Sequence, residues 1–469
     1  MEDNLKKEVL SNVRYLRNIR SFEPKEIRGY ISKEIDTEEI RNLILENAFE
    51  IGIIENVDGS FSLPREDPIL PKDTAIKKFP QAHAKKLESM LKNKYGDEWF
   101  KGESGKEIRE RIRKIKNKYY RGEEVSYDED NAFAYAIYHL PGYYAAMQYI
   151  LNNLSEKKIL GRKLRVLDVG AGVGGPALGF IDYIPQDVLL EYNAVEPNES
   201  KIILEELLSK SRENVHINIY QKTAEEFEPD GVYDIILFAN VISELKDPIS
   251  VVRKYSEFVA KTGSMILIAP ADKNTAIELR NIERKLSEKM NIYFPDICLW
   301  TGKKSSGENW SFEVMPELET PSFQGQIDKE GERNGEFLNI DVQVAYSILR
   351  WDTKTKFEHS FDVSRIMRLS DSHTQVTKRV DVIAVKLSHN LGEDKNALFL
   401  IGDGSEKIDH YIVVVKKTLG NQSVFDASYG EIILIKMALV LWNEDENACN
   451  LVIDGQTTIE RTGSMEEFT

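Results

Sequence analysis

Two cysteines, Cys298 and Cys449, are all that the 469 residues contain, and neither belongs to a Cys-x-x-Cys pair. That scarcity excludes a disulfide framework and a four-cysteine zinc or iron–sulfur site built from this chain alone. Long apolar runs are missing too. No stretch approaches the roughly 20 residues that a bilayer span needs, so no membrane role is indicated. The start, Met1-Glu2-Asp3-Asn4-Leu5-Lys6-Lys7, is acidic at once. It lacks the apolar core of a secretion signal and the acid-free character of a transit peptide, so a cytoplasmic location is the expectation. Positive charge is also short: 78 acids against 62 Lys and Arg give a formal charge of −16, which argues against coating nucleic acid by bulk electrostatics. Internal repeats and long low-complexity tracts do not occur.

What is present is the composition of a soluble globular protein, 41% hydrophobic and 30% charged, in a chain too long for one core. Residues 1–65 read as a helical N-terminal module. Asp36-Thr37-Glu38-Glu39 caps a helix running to about Gly52, and a hairpin with an Asp58-Gly59 turn follows. Helix plus hairpin fits either a winged-helix-like unit or a plain packing module. The stretch from Leu63 to Pro80 resembles a linker. Residues 81–154 read as helical, with a basic helix Lys106–Arg121 in which eight basic residues face two acids, a local candidate for RNA contact. Pro141 within the helical run Asn131–Leu154 predicts a break or kink, with two helices meeting there. Residues 155–375 read as an alternating α/β domain with a β-rich insertion from 296, and residues 378–462 as strands separated by turns.

The chemistry concentrates after one buried strand. Leu164-Arg165-Val166-Leu167-Asp168 runs into Val169-Gly170-Ala171-Gly172-Val173-Gly174-Gly175-Pro176 and then a helical pattern. Glycines there allow a tight strand-to-helix turn, close approach of backbone to a ligand, and access to unpaired N–H groups at a helix N-terminus. A glycine turn alone is weak evidence. Here the next strand, Leu189–Val195, ends in Glu196, 24 residues past Gly172, where a carboxylate can accept ribose hydroxyls. A third strand, Val215–Tyr220, precedes Ala224 and Glu225. A fourth, Val232–Phe238, precedes Asn240, Ser243 and Glu244, and Ser264–Ile268 supplies a fifth. Strands alternating with helices predict a parallel sheet with right-handed crossovers and ligands beyond the carboxyl ends of its strands.

These features in order resemble the Rossmann-like class I methyltransferases that use S-adenosyl-L-methionine. That resemblance implies Asp168, Gly170, Gly172, Gly174, Glu196, Ala224 and Glu225 as cofactor-binding residues. It also implies Asn240, Ser243 and Glu244 as the catalytic, acceptor-positioning candidates; the bland alternative is that these three cap the next helix. Asn240-Val241-Ile242-Ser243 departs from the Asn/Asp-Pro-Pro-aromatic element that serves methylation of base amino groups. No cysteine ends the fourth or fifth strand to activate a pyrimidine C5. In-line transfer to an already competent nucleophile, driven by proximity, or cofactor binding for a structural purpose remains.

Two further stretches narrow the likeness. Tyr138-His139-Leu140-Pro141-Gly142-Tyr143-Tyr144-Ala145-Ala146, upstream of the glycine turn, and Trp310-Ser311-Phe312 with Ala345-Tyr346-Ser347 resemble elements of the mitochondrial small-ribosomal-subunit methyltransferase-like family. Several cysteines of that family look like cluster ligands, whereas this chain keeps only Cys298. A divergent, archaeal-type member with no metal cluster is therefore expected. The resemblance implies the small ribosomal subunit or its RNA as partner. Residues 378–462 look like an oligonucleotide-binding (OB-like) barrel, with His410, Tyr411 and Trp442 as possible stacking platforms or buried structural residues. The alternatives to an RNA-directed enzyme are a methyltransferase of a protein acceptor and a catalytically silent assembly factor that retains the pocket.

Overall fold

The computed structural model describes residues 2–33, 35–72, 76–121, 128–209, 212–300, 310–357, 366–393 and 396–461. Residues 301–309 and 358–365 of the expected β-rich segment, and Thr462 at the end of the expected barrel, lie outside them. The chain forms two compact units, residues 1–237 with 316–342, and residues 238–315 with 343–469.

The first unit begins with α1 (Glu2–Leu16), α2 (Pro24–Arg28), α3 (Thr37–Glu46), α4 (Ala48–Ile51) and the hairpin β1 (Ile54–Glu55) and β2 (Phe61–Ser62). The single helix expected up to Gly52 is divided at Asn47, and Asp36 occupies the N-cap position without a side-chain cap bond. Apolar residues one helical turn apart, Val9 and Val13 of α1 and Ile40 and Ile44 of α3, share a core with Phe22 and Phe61. Phe22 also exchanges backbone hydrogen bonds with Phe61.

Next come α5 (Gln81–Tyr95), α6 (Gly102–Arg121) and α7 (Glu129–Glu156). The break expected at Pro141 does not occur, since α7 runs through it. Proline frees the carbonyl four residues back, that of Ile137. Gln324 from far along the chain donates its side-chain amide to that oxygen at 2.9 Å and to the Tyr138 carbonyl at 3.0 Å, and Asn339 also bonds the latter. Proline costs a helix this unmet acceptor as well as a clash of its ring with the same carbonyl, and here the acceptor is met from outside.

After α7 follow β3 (Lys163–Val169), α8 (Gly175–Tyr183), β4 (Leu189–Val195), α9 (Ser200–Leu208), β5 (Val215–Tyr220) and β6 (Tyr233–Ala239). β3 pairs with β4, and β4 with β5, in parallel. Val169 faces Val195 and Val195 faces Tyr220, so the three strands finish level and their following loops share one edge. The unit boundary falls within β6.

The second unit continues with α10 (Pro248–Ser256), β7 (Val259–Pro270), α11 (Lys273–Leu286), β8 (Asn291–Phe294) and β9 (Glu313–Val314). After α12 (Ser322–Lys329), which belongs to the first unit, it resumes with β10 (Gln343–Arg350). The strand order of this sheet is β5-β4-β3-β6-β7-β10-β8, with β9 on the flank of β10. The sheet is not wholly parallel as expected, because β10 runs antiparallel to both β7 and β8. Val344, at the start of β10, faces Pro270, at the end of β7. The chain therefore re-enters the sheet at the edge where β7 left it and must run back.

β11 (Arg379–Lys386), β12 (Ala397–Gly402), β13 (His410–Val414), α13 (Ser423–Asp426), β14 (Ile432–Asn443), β15 (Ala448–Ile453) and β16 (Thr458–Arg461) complete the unit. Five strands close in the order β11-β12-β13-β15-β14, with β14 returning to β11 and β16 added outside on β14. All pairs are antiparallel except β13 with β15. Val382, Ala384, Phe399, Ile401, Ile412, Ile433 and Leu451 fill the interior at alternate positions.

Candidate active site

The bend after β3 is built from backbone. Gly170, Gly172 and Gly174 all have positive φ, 73°, 54° and 89°, the region where side chains with a Cβ are strained. Gly170 and Ala171 donate their N–H groups to the Val195 carbonyl at 2.8 and 3.1 Å, tying the bend to the end of β4. A Cβ on Gly172 would meet nothing within 4 Å, whereas one on Gly174 would lie 2.7 Å from Leu204 Cδ1. The first glycine therefore faces open space, and the second lies close to the tip of a side chain of α9. Sequence reasoning missed a further job for the glycines: a Cβ on Gly179 would sit 2.5 Å from the Tyr144 carbonyl, so α8 lies backbone-close on α7.

Glu196 turns toward this bend. Its Oε2 accepts the Gly172 N–H at 2.8 Å, and its Oε1 accepts from the Asn198 N–H at 2.9 Å and the Ser200 hydroxyl at 2.8 Å. An ionised carboxylate has about four acceptor directions, so three protein donors leave one, on Oε2, for a ribose hydroxyl. Ser200 was not picked out from the sequence, although its place four residues after the acid is the available signal.

Asp168 is fully buried. Tyr192 donates its hydroxyl to Oδ2 at 2.8 Å, while Oδ1 has no partner. Burial, with the Glu196 carboxylate adding to it, pushes the Asp168 pKa up to about 7. Ala224 is buried, and Glu225 is exposed on the turn after β5, where Thr223 and Glu226 exchange backbone-to-side-chain bonds at 3.3 Å.

In the second unit, Asn240 follows β6 with φ 57°, a left-handed conformation that Asn tolerates better than most residues. Its N–H is held by the Ile268 carbonyl at 2.9 Å, and its buried Oδ1 has no partner. A left-handed residue at a strand end with an unmet buried acceptor is a feature found at functional sites. Ser243 and Glu244 are exposed on a short 3-10 turn. None of the three caps the next helix, because Asp247 does so by accepting the Ser250 N–H at 3.1 Å.

Ser311, Tyr346 and Ser347, from the second of the stretches behind the family likeness, meet in a buried polar network of the second unit. Arg280 donates to Glu283 at 2.6 Å, Ser347 at 2.8 Å, the Tyr346 carbonyl at 3.2 Å, Tyr429 at 3.0 Å and Ser311 at 3.3 Å. Ser347 also donates to Glu283, and Tyr346 to Glu313. Of the aromatic platforms expected in the barrel, His410 is buried, donating Nδ1–H to the Ile408 carbonyl, and cannot stack on a ligand. Tyr411 is half-buried and Trp442 is 39% exposed. The basic helix is partly committed inside the first unit: Arg111 binds Asp130 and Asn131, and Arg113 and Lys116 bind Glu336.

Residues 139–319 match a methyltransferase domain family, and the fold is that of the Rossmann-like class I methyltransferases. Over those residues the chain carries a methyltransferase domain, of the class whose methyl donor is S-adenosyl-L-methionine. On either side, residues 6–57 and 370–462 match the N-terminal and C-terminal domains of one domain of unknown function, DUF8157. No curated protein matches the chain. Similar solved structures include TehB from Haemophilus influenzae, at 16% identity and a TM-score of 0.26, covering 40% of this chain and 58% of TehB. The CurJ carbon methyltransferase is 14% identical, with a TM-score of 0.32 over 74% of this chain and 91% of its own. The plantazolicin methyltransferase BpumL, solved with SAH, is 12% identical, with a TM-score of 0.30 over 58% and 99%. Values at this level say nothing of substrate.

The donor set of the first unit fits the cofactor. Open space before Gly172, one remaining acceptor direction on Glu196 and the unpartnered Asp168 Oδ1 suit, in turn, close backbone approach, a ribose hydroxyl and a cationic ammonium group. A measurable consequence concerns protons. Without a cation, Asp168 holds its proton up to about pH 7, so the stability it contributes is present at acid pH and is lost as pH rises through that value. A bound ammonium lowers this pKa, so cofactor binding should release a proton and tighten as pH rises from about 5 to 7. Calorimetry in buffers of different ionisation enthalpy measures that release. Zero release at pH 6, or equal release from Asp168→Asn, would remove Asp168 from the site.

Proposed function

We propose that this methyltransferase acts on RNA of the small ribosomal subunit, either modifying it or assisting its assembly. The observation that carries the reading is the closed barrel on the same chain as the methyltransferase domain. Counting its strands from β11, the order is 1-2-3-5-4 closed on 1, with strands 3 and 5 parallel. This connectivity supports an OB-like barrel, a fold used for oligonucleotides. The family likeness at Trp310-Ser311-Phe312 and along α7 points to the same partner.

When bound, the cofactor supplies a methyl group on a cationic sulfur. Glu196 and the Gly170–Gly174 bend would hold it, with Asp168 at its charged end. Asn240, in the second unit, is the candidate for holding an acceptor N–H or O–H on its unpartnered Oδ1. Covalent catalysis is not required, and neither thiol is suited to it: burial raises the pKa of both Cys298 and Cys449, keeping them protonated.

The test is methyl transfer from radiolabelled S-adenosyl-L-methionine to small subunits purified from the protein's own cells. Label in RNA is the expected result. Label in a ribosomal protein would assign a protein acceptor instead, and cofactor binding without transfer to either would define a silent assembly factor.

A further inference from the structure

The barrel carries a cleft of about 610 Å³, within the range of small-molecule sites. It is bounded by the 3-10 stretch Leu369–Gln375 that leads into β11, by the β12–β13 loop, and by Trp442 near the end of β14. Among the lining residues, the cations Arg368 and Lys407 face a single acid, Asp371. That excess of cations is local in a chain of net charge −16. Lys407 is exposed and neither it nor Arg368 has an ion-pair partner among the described residues. The Arg368 guanidinium lies over the Trp300 ring, 4.9 Å from its centre, a cation–π contact that does not use its N–H groups. Beneath, Ser372 donates to His410 Nε2 at 2.7 Å, because Nδ1–H is committed to the Ile408 carbonyl at 3.0 Å. The floor is therefore neutral and already satisfied. The wall at Trp442 is aromatic and 39% exposed.

An exposed indole beside two free cations, over an uncharged floor, suits a flat aromatic ring carrying a phosphate. We infer that this cleft binds a nucleotide unit, its base against Trp442 and its phosphate at Arg368 and Lys407. The source that fits the proposed function, on which this inference rests, is single-stranded RNA; a free nucleotide has the same chemistry. Indole stacking and phosphate pairing are independent contributions, so each can be removed separately.

The experiment measures binding of a fluorescent single-stranded RNA of about 12 nucleotides, and of AMP, to the full chain. Trp442→Ala, Lys407→Glu and, as an exposed basic control, Lys416→Gln are compared with the unchanged protein. Lys407→Glu, at an exposed position, keeps the fold intact should Trp442→Ala perturb it. The expected result is RNA affinity reduced about tenfold or more by each of the first two changes, with a shallower salt dependence for Lys407→Glu and no change for the control. RNA bound equally by all variants would overturn the cleft while leaving the RNA reading intact. AMP bound and lost in the variants, without RNA binding, would support the cleft and overturn the RNA reading. Binding of neither would overturn both.

Discussion

Replacing Glu196 with Gln should weaken S-adenosyl-L-methionine binding on the order of a hundredfold. The carboxylate holds the Gly172 N–H, the Asn198 N–H and the Ser200 hydroxyl on its two oxygens. Gln keeps the shape but turns an NH₂ group toward at least one of those donors. Losing charge-assisted bonds and stranding a buried donor costs about 3 kcal/mol. The loss falls on the bend that must stay open before Gly172 as well as on the acceptor direction left for a ribose hydroxyl. Calorimetric titration measures the affinity, and a circular-dichroism melt separates it from global unfolding. A variant that binds within about threefold of the parent would show that the cofactor sits elsewhere.

The second large effect lies in the second unit. Arg280→Met should destabilise that unit by about 3–5 kcal/mol, because it leaves the buried Glu283 carboxylate without its cation and strips donors from Ser347, Ser311 and Tyr429. Arg280→Met combined with Glu283→Leu should recover most of the loss, since replacing both members of a buried pair by apolar side chains is often close to neutral. Urea unfolding of the three proteins decides it. A single variant that loses less than about 1 kcal/mol would mean that the network contributes little.

What the sequence made legible was local and periodic. The five strands from Leu164 to Ile268, the glycine bend and the acid after the second strand follow from residue type and spacing alone, as does the alternation that fills the barrel. What it left hidden depends on partners distant in the chain. Pro141 predicts a break or kink by local rules, and Gln324, distant in the chain, meets the acceptor that the proline frees. The reversed direction of β10 reflects where the chain re-enters the sheet, which no periodicity encodes. Tyr192 as the partner of Asp168 arises from pairing of neighbouring strands. Arg280 and Glu283 did leave a trace: they sit one turn apart on the face of α11 that carries Ala276, Leu279 and Leu286. A charged pair inside an apolar stripe announces a buried network.

The amide of Gln324 at the proline of α7 has a consequence for how the molecule is made. The carbonyl of Ile137 and its donor are 187 residues apart, so on a translating ribosome the helix emerges long before the side chain that completes it. In the growing polypeptide that turn bonds to water. Its final bonding is deferred until the segment around residue 324 has been synthesised. Fragments ending before that point should retain fast amide hydrogen exchange around Pro141.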